Sequence, residues 1–213
     1  MDRRIPDEFG YALAEALGVD AYCPLPPGCD GKVFLAEDAE GGILVMKVTT
    51  SAIEAALCKA MAEAGDVPGL FQVRDVRSVE LPDGSNAWAI LRDEVSDVFM
   101  GPDVDEEPSY QAWLASLSKF DAGWQLDDAD ILDSALREAP PEARLDQALG
   151  GLRWLRDELG ALGRDLHRDN FGRTGRGDVC VRDLSRFRMP MARVKAALRR
   201  IDPLPEHAPS PVP

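Results

Sequence analysis

The stretch Gly163-Arg164-Asp165-Leu166-His167-Arg168-Asp169-Asn170-Phe171-Gly172, followed after a Gly-rich turn by Val179-Cys180-Val181-Arg182-Asp183-Leu184-Ser185, decides how the rest of the chain is read. An Asp stands five positions before an Asn, and a second Asp follows a short hairpin. The residue types suit phosphoryl transfer. Mg²⁺ is a hard cation that takes oxygen ligands from one or two side chains and completes its shell with phosphates. A separate carboxylate then orients an attacking hydroxyl and accepts its proton. Residues 165–170 read as a loop between a helix and a strand, where a rigid scaffold aims reactive groups. Phe171 to Arg173 and Val179 to Arg182 read as two strands, and Thr174-Gly175-Arg176-Gly177-Asp178 supplies the turn between them. That hairpin is expected to return Asp183 to the side of Asn170, so that both serve one metal ion.

A second segment points the same way. Gly28-Cys29-Asp30-Gly31-Lys32-Val33-Phe34-Leu35-Ala36 puts paired glycines ahead of a strand, and Ile43-Leu44-Val45-Met46-Lys47-Val48 is a hydrophobic strand interrupted by one Lys. Glu37 to Gly42 reads as the hairpin turn between them. Glycine backbone approaches phosphate closely, and an ammonium on a strand neutralises it. Taken alone, Lys47 reads as a solvent-facing residue of an amphipathic strand, and the glycines as a turn. The order of glycine loop, Lys, Asp with Asn, then Asp is the more specific signal.

In these motifs the chain resembles the protein-kinase-like superfamily, with a catalytic loop similar to that of aminoglycoside phosphotransferases and small microbial or phage kinase-like proteins. The resemblance runs in motif order through residues 28–187, with about twenty close positions. It implies an α+β, two-lobed fold with a small antiparallel-sheet amino lobe and a reduced helical carboxy lobe. It implies Asp165 as catalytic base, Asn170 and Asp183 as metal ligands, and Gly28, Gly31 and Val33 over the nucleotide. Lys47 would contact the α- and β-phosphates and pair with a helix Glu. Glu54 and Glu63 are both candidates for that Glu, because Ser51-x-x-Glu54 also fits a capping box that engages Glu54 with the helix's own amides. Trp88 to Val95 looks like the strand and hinge that carry adenine, with Arg92, Asp93 and Glu94 at the hinge. The implied cofactors are ATP and Mg²⁺, and the implied partners are a nucleotide and a protein or small-molecule acceptor. The chain departs from the family at Gly163, where His is usual, and at Ser185, where Gly is usual. Thirty residues follow Asp183, without a recognisable activation segment. These departures keep open an alternative: a kinase-fold binding or regulatory protein with little or no catalysis.

Composition sets the frame. The chain has 213 residues and a formal net charge of −14, enough to bury one good core as a compact chain. Residues 164–200 hold eleven Arg or Lys against four Asp, a local +7, so the remainder carries −21. A basic segment over the proposed loop suits a polyanionic ligand such as a nucleotide. Strong overall acidity argues against nonspecific nucleic-acid binding. No apolar run is long enough for a membrane span, and the first residues lack a secretory pattern. The spacing of Cys23, Cys29, Cys58 and Cys180 fits neither zinc nor a disulfide scaffold. A cytoplasmic protein is expected.

A coarse pass predicts a helix at 7–17, strands near 32–37, 43–49, 71–80 and 87–92, and a helix at 52–64. From residue 108 onward the pattern is helical: Tyr110 to Phe120, Asp128 to Glu138, and Leu145 to Leu162 with a Leu stripe along one face. A basic helix follows at 192–200. The expected organisation is an amino lobe at 1–95, a reduced carboxy lobe at 96–202, and a Pro-rich tail at 203–213.

Overall fold

The computed structural model describes residues 5–25, 31–97, 145–163, 170–175 and 178–204. Over these the chain is α+β, with four α-helices and a five-stranded antiparallel sheet. The helices expected at Tyr110 to Phe120 and Asp128 to Glu138, and the tail from residue 205, lie outside the described residues. The chain divides into two compact units. The first takes the described parts of Met1–Gly65, Gln72–Glu94 and Val194–Pro213, and the second those of Asp66–Phe71 and Val95–Arg193.

The first unit is built on α1 (Asp7–Ala16), β1 (Asp20–Pro24), β2 (Gly31–Glu37), β3 (Ile43–Thr49), α2 (Ala52–Ala64), β4 (Val73–Glu80) and β5 (Asn86–Asp93). The strands lie in the order β1-β2-β3-β5-β4. The β2–β3 turn is closed by its own Asp: Asp38 Oδ1 accepts the amides of Glu40 and Gly42 at 3.0 and 2.7 Å, a short polar side chain doing the work of a backbone acceptor. Alternation along the strands sorts the side chains onto two faces. Leu44, Met46 and Val48 join Phe34, Ala36, Ala87, Ala89 and Leu91 in a core that also takes Leu13 and Ala14 of α1. The opposite face bears Val45, Lys47 and Thr49, and α2 packs across β4, β5 and β3. Burying the α2 residues Ala55, Ala56, Leu57, Cys58 and Met61 supplies most of that helix's stability, since an isolated helix of this length is marginal in water.

The strand expected at 71–80 begins instead at Val73. The preceding residues are used elsewhere: Leu70 forms a parallel bridge with Val181, and Val181 N–H donates to Gly69 O at 3.1 Å. β1 is an additional strand that its short, mixed sequence does not announce. The segment after the last helix adds to the outer edge of β4, where Ser78 N–H donates to Asp202 O and Leu204 N–H to Ser78 O, at 3.0 and 3.2 Å. This pairing covers part of an edge that would otherwise expose unpaired backbone groups.

The second unit contains β6 (Val95–Asp97), α3 (Leu145–Leu159), β7 (Leu162–Gly163), β8 (Phe171–Thr174), β9 (Val179–Val181) and β10 (Phe187–Arg188). Strands β6, β8 and β9 form one antiparallel sheet in that order, and β7 pairs with β10. Ala148, Leu149, Leu152 and Leu155 bury one stripe of α3, which packs on β9. The helix stops at Leu159 rather than running to Leu162. Ala161 N–H donates to Leu155 O and Gly160 N–H to Arg156 O, the paired bonds that close a helix carboxy terminus. Gly69 sits at φ +82°, and a Cβ there would lie 1.7 Å from the Gln147 carbonyl oxygen. Only glycine admits both that backbone conformation and that approach to α3. The last helix, α4 (Met191–Leu198), buries Val194 and Ala197 and leaves Arg193 and Lys195 exposed. Among the described residues no helix is long and apolar enough to cross a membrane.

Candidate functional site

In the first unit the antiparallel register brings three of the sequence-predicted residues, Val33, Lys47 and Arg92, to one face. Lys47 stands between Val33 of β2 and Ile90 of β5, in a single cross-strand row. The neighbouring rows are Gly31, Thr49 and Trp88 on one side, and Leu35, Val45 and Arg92 on the other. Side chains two residues apart on a strand project the same way, so Val33, Lys47 and Arg92 share this face. Gly31 has a reason of its own to be glycine: a Cβ would fall 2.1 Å from the Val48 carbonyl oxygen. Gly28 lies outside the described residues.

Lys47 is an ion-paired side chain. Its Nζ donates to Glu54 Oε1 at 2.6 Å, with side-chain exposures of 15% for Lys47 and 4% for Glu54. The solvent-facing reading of Lys47 therefore does not hold. The choice between two helix carboxylates is also resolved geometrically. Glu54, in the first turn of α2, meets Lys47, whereas Glu63, near the end of the helix, receives a bidentate contact from Arg200 at 2.9 Å through each oxygen. The Arg200 bond holds the Glu63 carboxyl below its ordinary value, and the same bond raises the Arg200 guanidinium.

Only half of the expected capping box forms. Ser51 Oγ accepts the Glu54 amide at 3.3 Å. The Ser51 amide that a full box would direct to Glu54 donates to Thr49 Oγ1 at 3.1 Å. This frees the Glu54 carboxylate to turn back toward the sheet, where Oε2 accepts the Thr49 hydroxyl at 2.9 Å. Both carboxylate oxygens thus have a donor, which a carboxylate at this depth requires. Thr49 was missed by sequence reasoning. A Thr closing a strand reads as ordinary β propensity, and the one available cue is its spacing of two from Lys47.

At the end of β5 the expected hinge residues are already engaged. Asp93 N–H donates to Gln72 O at 2.9 Å, and Arg92 Nη1 donates to the Asp93 carbonyl at 3.1 Å. The Asp93 carboxylate accepts Arg74 Nε at 2.7 Å. Glu94 is half-buried at the strand's end.

In the second unit, β8 and β9 pair with Phe171 opposite Val181. The ladder continues one step further, because Arg182 N–H donates to Asn170 O at 2.7 Å. Asn170 is buried, at 8% exposure, and Asp183 follows Arg182 by one residue. Asp183 Oδ1 accepts the Ser185 amide at 2.9 Å, so the Asp183-Leu184-Ser185 turn fixes the carboxylate through backbone and needs no glycine at 185. Leu184 anchors the turn by complete burial. The backbone ladder thus brings Asn170 and Asp183 to neighbouring positions, and an amide oxygen and a carboxylate are each hard donors of the kind Mg²⁺ accepts. Among the described residues no three His, Cys, Asp or Glu side chains gather into a metal-holding group. Gly163, where the resembled family has His, lies in β7 opposite Phe187. Asp165 lies outside the described residues.

The sequence matches no protein-family model and no curated protein.

Proposed function

We propose that this chain is a kinase-like phosphotransferase, two-lobed in the sense of that superfamily, which uses Mg·ATP to phosphorylate a hydroxyl on a protein or small molecule. The observation that carries the reading is the Lys47–Glu54 pair. A flexible ammonium is held at 2.6 Å by a carboxylate on a helix, on the sheet face that also bears Val33. Such a lysine is held in place by its carboxylate and is suited to a phosphate, which accepts hydrogen bonds from an ammonium. The division of the chain between Glu94 and Val95, beside the expected hinge, supports the same reading.

In the proposed reaction Lys47 binds the α- and β-phosphates beneath the strand that starts at Gly31. Asn170 and Asp183 would hold Mg²⁺, which supplies charge neutralisation at the phosphates when bound. Asp165 orients the acceptor hydroxyl and takes its proton as the new O–P bond forms and the bond to the departing ADP breaks. Transfer of label from γ-labelled ATP in the presence of Mg²⁺ tests this directly. Asp183→Asn should abolish transfer while leaving the unfolding midpoint near that of the parent. Equal transfer by the variant would show that the metal assignment is wrong.

Gly163 favours a second reading, nucleotide binding without transfer. Thermal-shift titration with ATP, with and without Mg²⁺, separates the two, because a ligand that binds only the native state raises the melting temperature. A shift without transfer to any acceptor supports the second reading. No shift in either condition opposes both.

A further inference from the structure

Two donors meet the Glu54 carboxylate, and they differ in kind. Lys47 approaches Oε1 at the end of a flexible stem, while Thr49 approaches Oε2 from a β-branched side chain that is fully buried at the end of β3. The terminal torsion of a glutamate is broad and roughly two-fold, so an ammonium alone does not choose the plane of the carboxylate. A second, stiff donor does. The direction of the Thr49 hydroxyl proton is itself set. The Ser51 amide donates into Oγ1 at 3.1 Å, leaving the hydroxyl's single proton for Glu54. Ser51 is also the residue whose Oγ caps α2 by accepting the Glu54 amide. Strand end, helix cap and carboxylate therefore form one connected set of hydrogen bonds.

We propose that Thr49 is a positioning residue for nucleotide binding: its hydroxyl fixes the Glu54 carboxylate so that Oε1 holds the Lys47 ammonium where a phosphate can reach it. The inference rests on the nucleotide reading of Lys47. It requires a hydroxyl at position 49, not merely a residue of that volume. Serine satisfies the requirement and valine, nearly the same shape, does not.

The test is Mg·ATP affinity, measured by calorimetry on the full chain, for Thr49→Val, Thr49→Ser and Lys47→Met, with urea unfolding run in parallel. Thr49→Val should weaken binding about tenfold, the scale of one hydrogen bond to a charged group, and Thr49→Ser should stay within about twofold of the parent. A protein in which Thr49 serves only folding would lose stability in the valine variant and keep its affinity, and that result overturns the proposal. Lys47→Met separates the two layers of inference. If it binds nucleotide like the parent, the reading of Lys47 fails and the role of Thr49 falls with it. If it loses binding while Thr49→Val does not, only the role of Thr49 is overturned. Should Thr49→Val not fold, Thr49→Cys takes its place, its thiol being a weaker donor, with a loss between those of the serine and valine variants expected and an affinity equal to the parent's overturning the proposal.

Discussion

Replacing Lys47 by Met tests whether the pair with Glu54 is built for phosphate handling, for folding, or for both. The variant removes an ammonium 2.6 Å from a carboxylate that is nearly inaccessible to water. Breaking one side of a buried pair costs about 3–5 kcal/mol, because the surviving charge stays buried without its partner. Lys47 keeps 15% of its side-chain exposure and Glu54 keeps the Thr49 hydroxyl, which places the cost at the lower end, about 3 kcal/mol. For a chain of this size that is a fall of about 6–12 °C in melting temperature. Glu54→Gln should cost less, since the amide oxygen can still accept from Thr49. The double variant Lys47→Met with Glu54→Gln should recover about half of the Lys47→Met loss, as no uncompensated charge remains. Phosphate transfer should be lost in all three, and Glu63→Gln should leave it intact. Equilibrium urea unfolding with parallel transfer assays reads every arm. An unchanged midpoint for Lys47→Met, or strict additivity in the double, would refute the buried-pair reasoning. Transfer that returned with stability in the double would refute the phosphate role.

Two further outcomes follow from the geometry. Gly69→Ala combines a left-handed backbone with a Cβ 1.7 Å from the Gln147 carbonyl, a destabilisation of about 2–5 kcal/mol. A melting temperature equal to the parent's would contradict the close approach of residue 69 to α3. Arg200→Ala removes the exposed bidentate contact to Glu63 and should cost about 0.5 kcal/mol near neutral pH. The Glu63 carboxyl is lowered in the folded state, chiefly by the Arg200 bond, so this stabilisation is present above its ordinary value and lost as pH falls through the folded one. The difference between parent and variant should therefore vanish in acid and shrink in high salt. A constant difference across that range would assign the effect to packing.

Much of the first unit was legible in the chain because its signals are local. The helix at 52–64 is bounded by Ser51 and Gly65, and the strand at 43–49 by a turn whose Asp38 closes it. The hairpin at 171–181 was equally readable from its Gly-rich turn. What escaped depends on contacts between distant segments. β7 and β10 are two residues each and exist through the pairing of Gly163 with Phe187. The strand expected from residue 71 starts at Val73, and just before it Leu70 is paired with Val181. In the candidate site, Lys47, Asn170 and Asp183 stood out by residue type and spacing. Thr49 did not, because a threonine at a strand end is common and its purpose emerges only when the α2 cap turns Glu54 back toward the sheet.

The placement of Glu54 so near the start of α2 has a mechanical consequence. If Ser51 is the pivot, Glu54 lies about 4.5 Å along the helix axis and Glu63 about 18 Å. A swing of about 10° then moves Glu54 by less than about 1 Å but Glu63 by about 3 Å. The lysine clasp sits at the fulcrum of the lever, and the Arg200 contact sits at its free end. Under such a swing the Arg200 contact would be disturbed first, while the Lys47–Glu54 pair stayed closed.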